Sequence, residues 1–262
     1  MRPIIFCTDY GLGDEFVGVC HGVMQRIAPG VAIVDLTHAI DRQDVLQGAL
    51  VLGRAATYLP VDAVCVAVVD PGVGGDRGEI AVETGGGAIL VGPDNGLLSM
   101  TWSALGGAIR AVSIESEHVR LQPVSRTFHG RDIFAPAGAH LAAGMPLDGA
   151  GPEIDVEHLE VLELPPPMVG PGRIGARVMG VDGFGNVQLN VRPEELAHAG
   201  LGQRLVIAGR QVPRVGMFSD VPEQAVAAIV DSQGFLALVV NGGSASATLG
   251  LRPGATVVLD DD

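Results

Sequence analysis

Aromatic side chains make up only 4% of this 262-residue chain: one Trp, two Tyr and seven Phe. Hydrophobic residues still reach 47%, so the core must be aliphatic and wholesale disorder is excluded. An aromatic in a polar turn is conspicuous against that background. Cysteine is scarce too. Cys7, Cys20 and Cys65 contain no C-x-x-C pair and sit in apolar runs. That excludes a disulfide framework and a cysteine-built zinc site, and it fits a reducing, cytoplasmic setting. Basic residues are few: 16 Lys and Arg against 30 Asp and Glu give a net charge of −14. Such a balance opposes nucleic-acid and anionic membrane partners and suits a small cationic ligand. No apolar run approaches the roughly 20 residues of a spanning helix. The N-terminus turns polar at Thr8-Asp9, too early for a signal peptide.

What is present is a two-part pattern. Residues 4–7, 32–36 and 63–69 read as strands, alternating with helical spacing over 15–28 and 44–59. Such alternation predicts an α/β domain with a mostly parallel central sheet covered on both faces. Residues 80–83 and 88–91 flank Gly85-Gly86-Gly87 as a hairpin, and 95–105 and 132–143 read as helices. Pro165-Pro166-Pro167 can continue neither a helix nor a central strand. This predicts an N-terminal domain over 1–163, an extended linker over 164–172 and a C-terminal domain over 173–262. Short β-like runs separated by Gly, Pro and Asp make the latter a smaller, mainly antiparallel, barrel-like β-domain.

Two segments carry titratable side chains where the backbone must turn: Val69-Asp70-Pro71-Gly72-Val73-Gly74 and Thr127-Phe128-His129-Gly130-Arg131-Asp132. Asp70 stands at the end of a buried-strand run, where open α/β sheets keep ligands. Arg77 follows it by seven residues. Each alone fits a structural role as well. Together an Asp and an Arg can position a water while a His handles a proton. No second carboxylate stands at position 72, which argues against an aspartyl-phosphate phosphatase. Thr8-Asp9-Tyr10-Gly11-Leu12-Gly13-Asp14 lies between the first strand and first helix, but a third fingerprint glycine would fall at Phe16, so the dinucleotide motif fails. Asp9 there fits either a ribose diol or a turn and helix cap. Asp182-Gly183-Phe184-Gly185-Asn186 reads as a hairpin turn whose Phe184 could stack on a base while Asn186 bonds its edge. Met217-Phe218-Ser219-Asp220 and Asn241-Gly242-Gly243-Ser244 are further turns open to close ligand approach.

With Gly92-Pro93-Asp94-Asn95-Gly96, these ordered motifs resemble the S-adenosylmethionine hydrolase (SAM hydroxide adenosyltransferase) family, relatives of the fluorinases and chlorinases, nearly end to end. The resemblance implies hydrolysis of S-adenosyl-L-methionine to adenosine and L-methionine by water attacking ribose C5′, with no cofactor and no metal. It also implies a homotrimer with active sites between the N-terminal domain of one subunit and the C-terminal domain of the next. Carried over by motif, Asp70, Arg77 and His129 form the water-activating triad. Asp9 holds the ribose hydroxyls, and Asp14 shares its loop. Asp182 meets the methionine amino group, Phe184, Asn186 and Phe218 face adenine, Ser232 binds the carboxylate, and Asn241 and Gly242 complete the adenine edge. Halogenases of the family carry tyrosine and threonine at the positions of Asp70 and Val73, so a carboxylate at 70 disfavours an anion. A halogenase on the same scaffold and a non-catalytic SAM- or adenosine-binding protein are the alternatives.

Overall fold

Apolar runs in the first half of the chain become strands that face two cores. In the computed structural model, which describes residues 1–262, the chain divides into units Met1–Leu162 and Glu163–Asp262. The first unit holds β1 (Ile4–Thr8), β2 (Ile33–Thr37), β3 (Val64–Val68), β4 (Glu79–Thr84), β5 (Ile89–Pro93), β6 (Ala108–Ser113) and β7 (Glu153–Ile154) in the order β2-β1-β3-β5-β4-β6-β7. Every residue of β1, β3 and β5 is buried. Because successive side chains point to opposite faces, Ile4 and Phe6 join one core while Ile5 and Cys7 join the other. The first core is covered by α1 (Phe16–Ile27) and α4 (Ala135–Ala142), the second by α2 (Val45–Ala55) and α3 (Ser99–Ala104). Asp44 caps α2, its Oδ1 accepting from the Gln47 amide at 2.9 Å.

The sheet is mixed, so the expectation of a mostly parallel one holds only for half of it. Pairings β2–β1, β1–β3 and β3–β5 are parallel, but β5–β4, β4–β6 and β6–β7 are antiparallel. The three-glycine turn supplies the physical reason. A tight hairpin can only return its strand antiparallel, and it reverses the chain between β4 and β5. The helix expected over 132–143 also divides: a single π-helical turn, Gly130–Phe134, leads into α4. Such turns are common at functional sites.

In the second unit, β8 (Met168–Gly170), β9 (Arg173–Val181), β10 (Val187–Leu189), β11 (Arg204–Ile207), β12 (Arg210–Pro213), β13 (Val226–Val230), β14 (Leu236–Val240) and β15 (Thr256–Asp261) form one sheet, with α5 (Pro193–Ala199) and α6 (Ala245–Leu249) beside it. Its strands run β12-β11-β15-β9-β10-β14-β13, all antiparallel. A bridge from Arg214 to Ala228 ties the β12 end to the β13 edge, so the sheet nearly closes on itself. The segment expected as a linker is not a free spacer. Met168–Gly170 pairs with β9, and the Asn190 amide donates to the Pro165 carbonyl at 2.7 Å.

All three cysteines are buried and unpaired, and burial pushes the Cys7 and Cys20 thiols up to about 12. They therefore stay protonated and inert. No helix is long and apolar enough to cross a membrane.

Candidate active site

Asp70 stands two residues beyond β3 and opens a tight turn, in which the Val73 and Gly75 amides reach back to the Asp70 and Gly72 carbonyls. Gly74 has φ +75°, and a Cβ there would collide with the Arg126 carbonyl. Only glycine lets this turn lie against the segment that leads into His129. The Asn95 amide fixes the other side by donating to the Val69 carbonyl at 2.9 Å.

The turn aims Arg77 back at Asp70. Arg77 Nε donates to both carboxylate oxygens, at 3.0 and 3.1 Å, and Nη2 donates to Oδ2 as well. Nη1 reaches Glu79 Oε1 at 2.8 Å, and Nη2 also lies 2.8 Å from His129 Nδ1. Arg120 joins through Glu79 Oε2 at 3.2 Å. The side chains of Asp70, His129 and Arg77 are 5%, 9% and 10% exposed, so these are charge-assisted bonds in a partly dry site. Two carboxylates meet two guanidiniums and the charges balance.

That arrangement fixes His129. Arginine has no acceptor, so His129 Nδ1 must accept from it, and a neutral ring carries its proton on Nε2. His129 then presents a donor, and Asp70 is the remaining acceptor of the triad. Burial, followed by the Arg77 charge, holds the His129 pKa below the ordinary histidine value, against the pull of Glu79 and Asp70. Asp70 and Glu79 together outweigh the cost of burying Arg77 and raise its pKa further.

The Asp9 loop packs beside this cluster. A Cβ on Gly130 would overlap the Tyr10 hydroxyl. Tyr10, Phe16 and Phe128 meet edge to face, with centroids 5.2–6.1 Å apart. Asp9 Oδ2 accepts the Gln43 amide at 2.8 Å, which uses one of its acceptors for the fold. Asp14 is exposed in the following bend.

In the second unit, Phe184, Asn186, Phe218, Val240, Gly242 and Gly243 line an open cavity of about 520 Å³. Four residues expected at an adenine site are thus brought together. Phe184 is 84% exposed and Phe218 44%, an unusual cost for large apolar rings unless something covers them. Asp182, Ser232 and Asn241 are not in the cavity lining. The Asp182 carboxylate serves its own turn, accepting from the Phe184 and Asn186 amides at 2.9 Å and from the Asn186 side chain at 2.8 Å. Ser232 is exposed in the 231–234 turn. Asn241 donates its side-chain amide to the Val221 carbonyl at 2.8 Å.

Glu79 and Arg120 escape the sequence reading, although Glu79 lies two residues beyond Arg77. So does a second cluster in the first unit, His21, Asp35 and His38; the Asp-x-x-His spacing that runs from within β2 to just beyond it is its one local signal.

Comparison with known proteins finds relatives along nearly the whole chain. Residues 4–151 match the SAM hydroxide adenosyltransferase N-terminal domain and residues 176–258 its C-terminal domain. The chain is 47% identical to an (R)-S-adenosyl-L-methionine hydrolase of Salinispora tropica, over 96% of this chain and 95% of that protein. It is 43% identical to an (R)-S-adenosyl-L-methionine hydrolase of Thermus thermophilus, over 99% of this chain and all of that one. A crystal structure of an uncharacterized conserved protein from Thermotoga maritima superposes with a TM-score of 0.89 at 34% identity, covering 98% of this chain and 99% of that one.

Proposed function

The chain belongs to the SAM hydroxide adenosyltransferase family, and from that premise we infer that it hydrolyses (R)-S-adenosyl-L-methionine to adenosine and L-methionine. The observation that carries the mechanism is the Asp70–Arg77–His129 cluster at the end of β3. Water attacks ribose C5′ as the C5′–S bond breaks. The bonding pair leaves with sulfur, so the sulfonium becomes a neutral thioether and requires no acid. One water proton passes to Asp70, which need not be strongly basic because the attacking water grows acidic as its bond to carbon forms. Arg77 and the Nε2–H of His129 orient Asp70 and the water, and the remaining barrier is one of alignment. A cofactor has no part in this chemistry, since the substrate brings its own leaving group.

Asp9 is assigned to the ribose hydroxyls and Asp14 to the same loop. The second-unit cavity is assigned to adenine, with Phe184 and Phe218 against its faces and Asn186 and Gly242 at its edge. Asn241 supports that edge, and Asp182 and Ser232 are assigned to the methionine amino and carboxylate groups. On the family resemblance alone, we assign the active site to a homotrimer that assembles it between subunits; a monomeric mass by light scattering would remove that assignment. Cytoplasmic residence is part of the same proposal, supported by three unpaired buried cysteines, and cell fractionation tests it.

The deciding experiment is chromatography of products from SAM incubated with the purified chain, with and without chloride or fluoride. Adenosine and methionine are expected in every case. A 5′-halo-5′-deoxyadenosine would instead establish the halogenase reading, which the Asp70 charge opposes. Binding without product would leave only a SAM-binding protein.

Two further results test the assignments. Truncating Phe184 to Ala removes a stacking ring worth about 1–3 kcal/mol. This should lower kcat/KM about 5- to 150-fold, chiefly through KM, and leave unfolding unchanged because the ring is exposed. An unaltered KM would dismiss the adenine assignment. The pH profile should be level above the ordinary histidine pKa of about 6.5 and fall only on the acid side, as His129 gains a second proton against Arg77. Its stability contribution has the same sign: complete above the unfolded-state pKa and lost as pH falls through the lower folded one. Loss of kcat/KM beginning above neutrality as pH falls would contradict a neutral His129.

A further inference from the structure

The C-terminal end of β2, the edge strand of the first-unit sheet, gathers three side chains that the hydrolytic mechanism does not use. His21 from α1 places Nε2 2.8 Å from Asp35 Oδ1, and His38, just beyond β2, places its Nε2 3.1 Å from the same oxygen. All three ligand atoms lie within 4.8 Å of one another. The His38 side chain is 2% exposed, yet its Nε2 completes no hydrogen bond within the chain. Its other nitrogen is engaged: Nδ1 lies 2.8 Å from the hydroxyl of fully buried Thr8.

We propose that His21, Asp35 and His38 form a zinc(II) site, with Thr8 as the outer partner that orients His38. Imidazole and carboxylate are zinc ligands at about 2.0–2.2 Å, and atoms already 2.8 and 3.1 Å apart need only modest side-chain shifts to surround an ion. A His38 tautomer that donates Nδ1–H to Thr8 leaves a bare Nε2 lone pair facing a carboxylate. That pairing is repulsive alone and favourable around a cation, and it is the arrangement metal-bound histidines adopt. Phe6 walls the site, its ring centroid 4.9 Å from His38 and 5.8 Å from His21. Asp35 and His21 are 41% and 32% exposed at the side chain, so an ion can enter and retain a water as fourth ligand.

Bound zinc would act on structure, not on the reaction. The His38 carbonyl accepts the Gly11 amide at 2.7 Å, and the Gln43 amide bonds Asp9. A metal fixing His38 therefore also fixes the loop that carries Asp9.

The test is zinc titration of the metal-stripped full-length chain, followed by elemental analysis and by calorimetry, with cobalt(II) as a spectroscopic substitute. One zinc per chain is expected, together with a rise in melting temperature and the strengthened visible absorption of four-coordinate cobalt. Thr8→Val should weaken zinc about 10- to 100-fold, as outer-partner changes do. His21→Ala should weaken it further and abolish the cobalt spectrum, while circular dichroism stays at the wild-type value. Wild-type protein that binds no zinc, or a His21→Ala variant that binds it equally, overturns the proposal. Because turnover is read separately, failure here leaves the hydrolase reading untouched.

Discussion

Asp70→Asn should reduce kcat about 10²–10⁴-fold, the range for losing a positioned general base. The substitution keeps the shape and one acceptor oxygen, so Arg77 still finds a partner. It removes the charge that draws a proton from water, and no other group can replace it. His129 Nδ1 is occupied by Arg77 at 2.8 Å, and Glu79 is itself held by Arg77 and Arg120. KM should change little, because Asp70 is assigned to the water and not to the substrate. Initial-rate kinetics across SAM concentrations separate the two. A variant within about threefold of wild-type kcat, well inside that range, would show that the proton goes elsewhere. Loss confined to KM would make Asp70 a binding group.

Arg77→Ala should be the most destabilising change in the site, at about 3–5 kcal/mol. Its guanidinium neutralises Asp70 and Glu79 together and is itself only 10% exposed. Truncation strands a carboxylate that is 5% exposed and leaves His129 Nδ1 without its donor. The cation also packs over the Phe134 ring at 5.3 Å, so part of the loss is packing. Arg77→Lys should recover only part of it, because an ammonium cannot make the two-pronged contact while also reaching Glu79 and His129. Trp102, the sole tryptophan, is buried in α3 of the first unit. Its fluorescence during urea unfolding therefore reports on the unit that contains the cluster. An unshifted urea midpoint would mean that Asp70 and Glu79 are solvated well enough to stand alone.

These expectations rest on residues of differing visibility in the sequence. Asp70 was legible because it ends the apolar run that becomes β3, although alone it fits a strand-ending Pro-Gly turn as well and stands out only beside Arg77 and His129. His129 and Arg77 became a group only through their motifs, since 52 residues separate them. Glu79 and Arg120 were invisible, as neither lies in a motif and ordinary surface charges look the same. The cavity residues were named singly, but only folding shows that Phe184, Asn186, Phe218 and Gly242 share one wall while Ser232 and Asn241 do not.

Local pattern determined the aliphatic core, the main strands and helices, the two-part organisation and the family, because periodicity, turn chemistry and motif order are properties of neighbouring residues. Pairing across the chain decided the rest. The antiparallel pairings from the hairpin at Gly85–Gly87 onward make half of an expected mostly parallel sheet antiparallel, and β8 took up part of the expected linker. Arg77 settled which nitrogen of His129 is free, and three residues from α1 and the β2 edge met at one oxygen. Hydrogen bonds and ion pairs act over about 3 Å, so what they join is fixed by the fold, whatever the spacing along the chain.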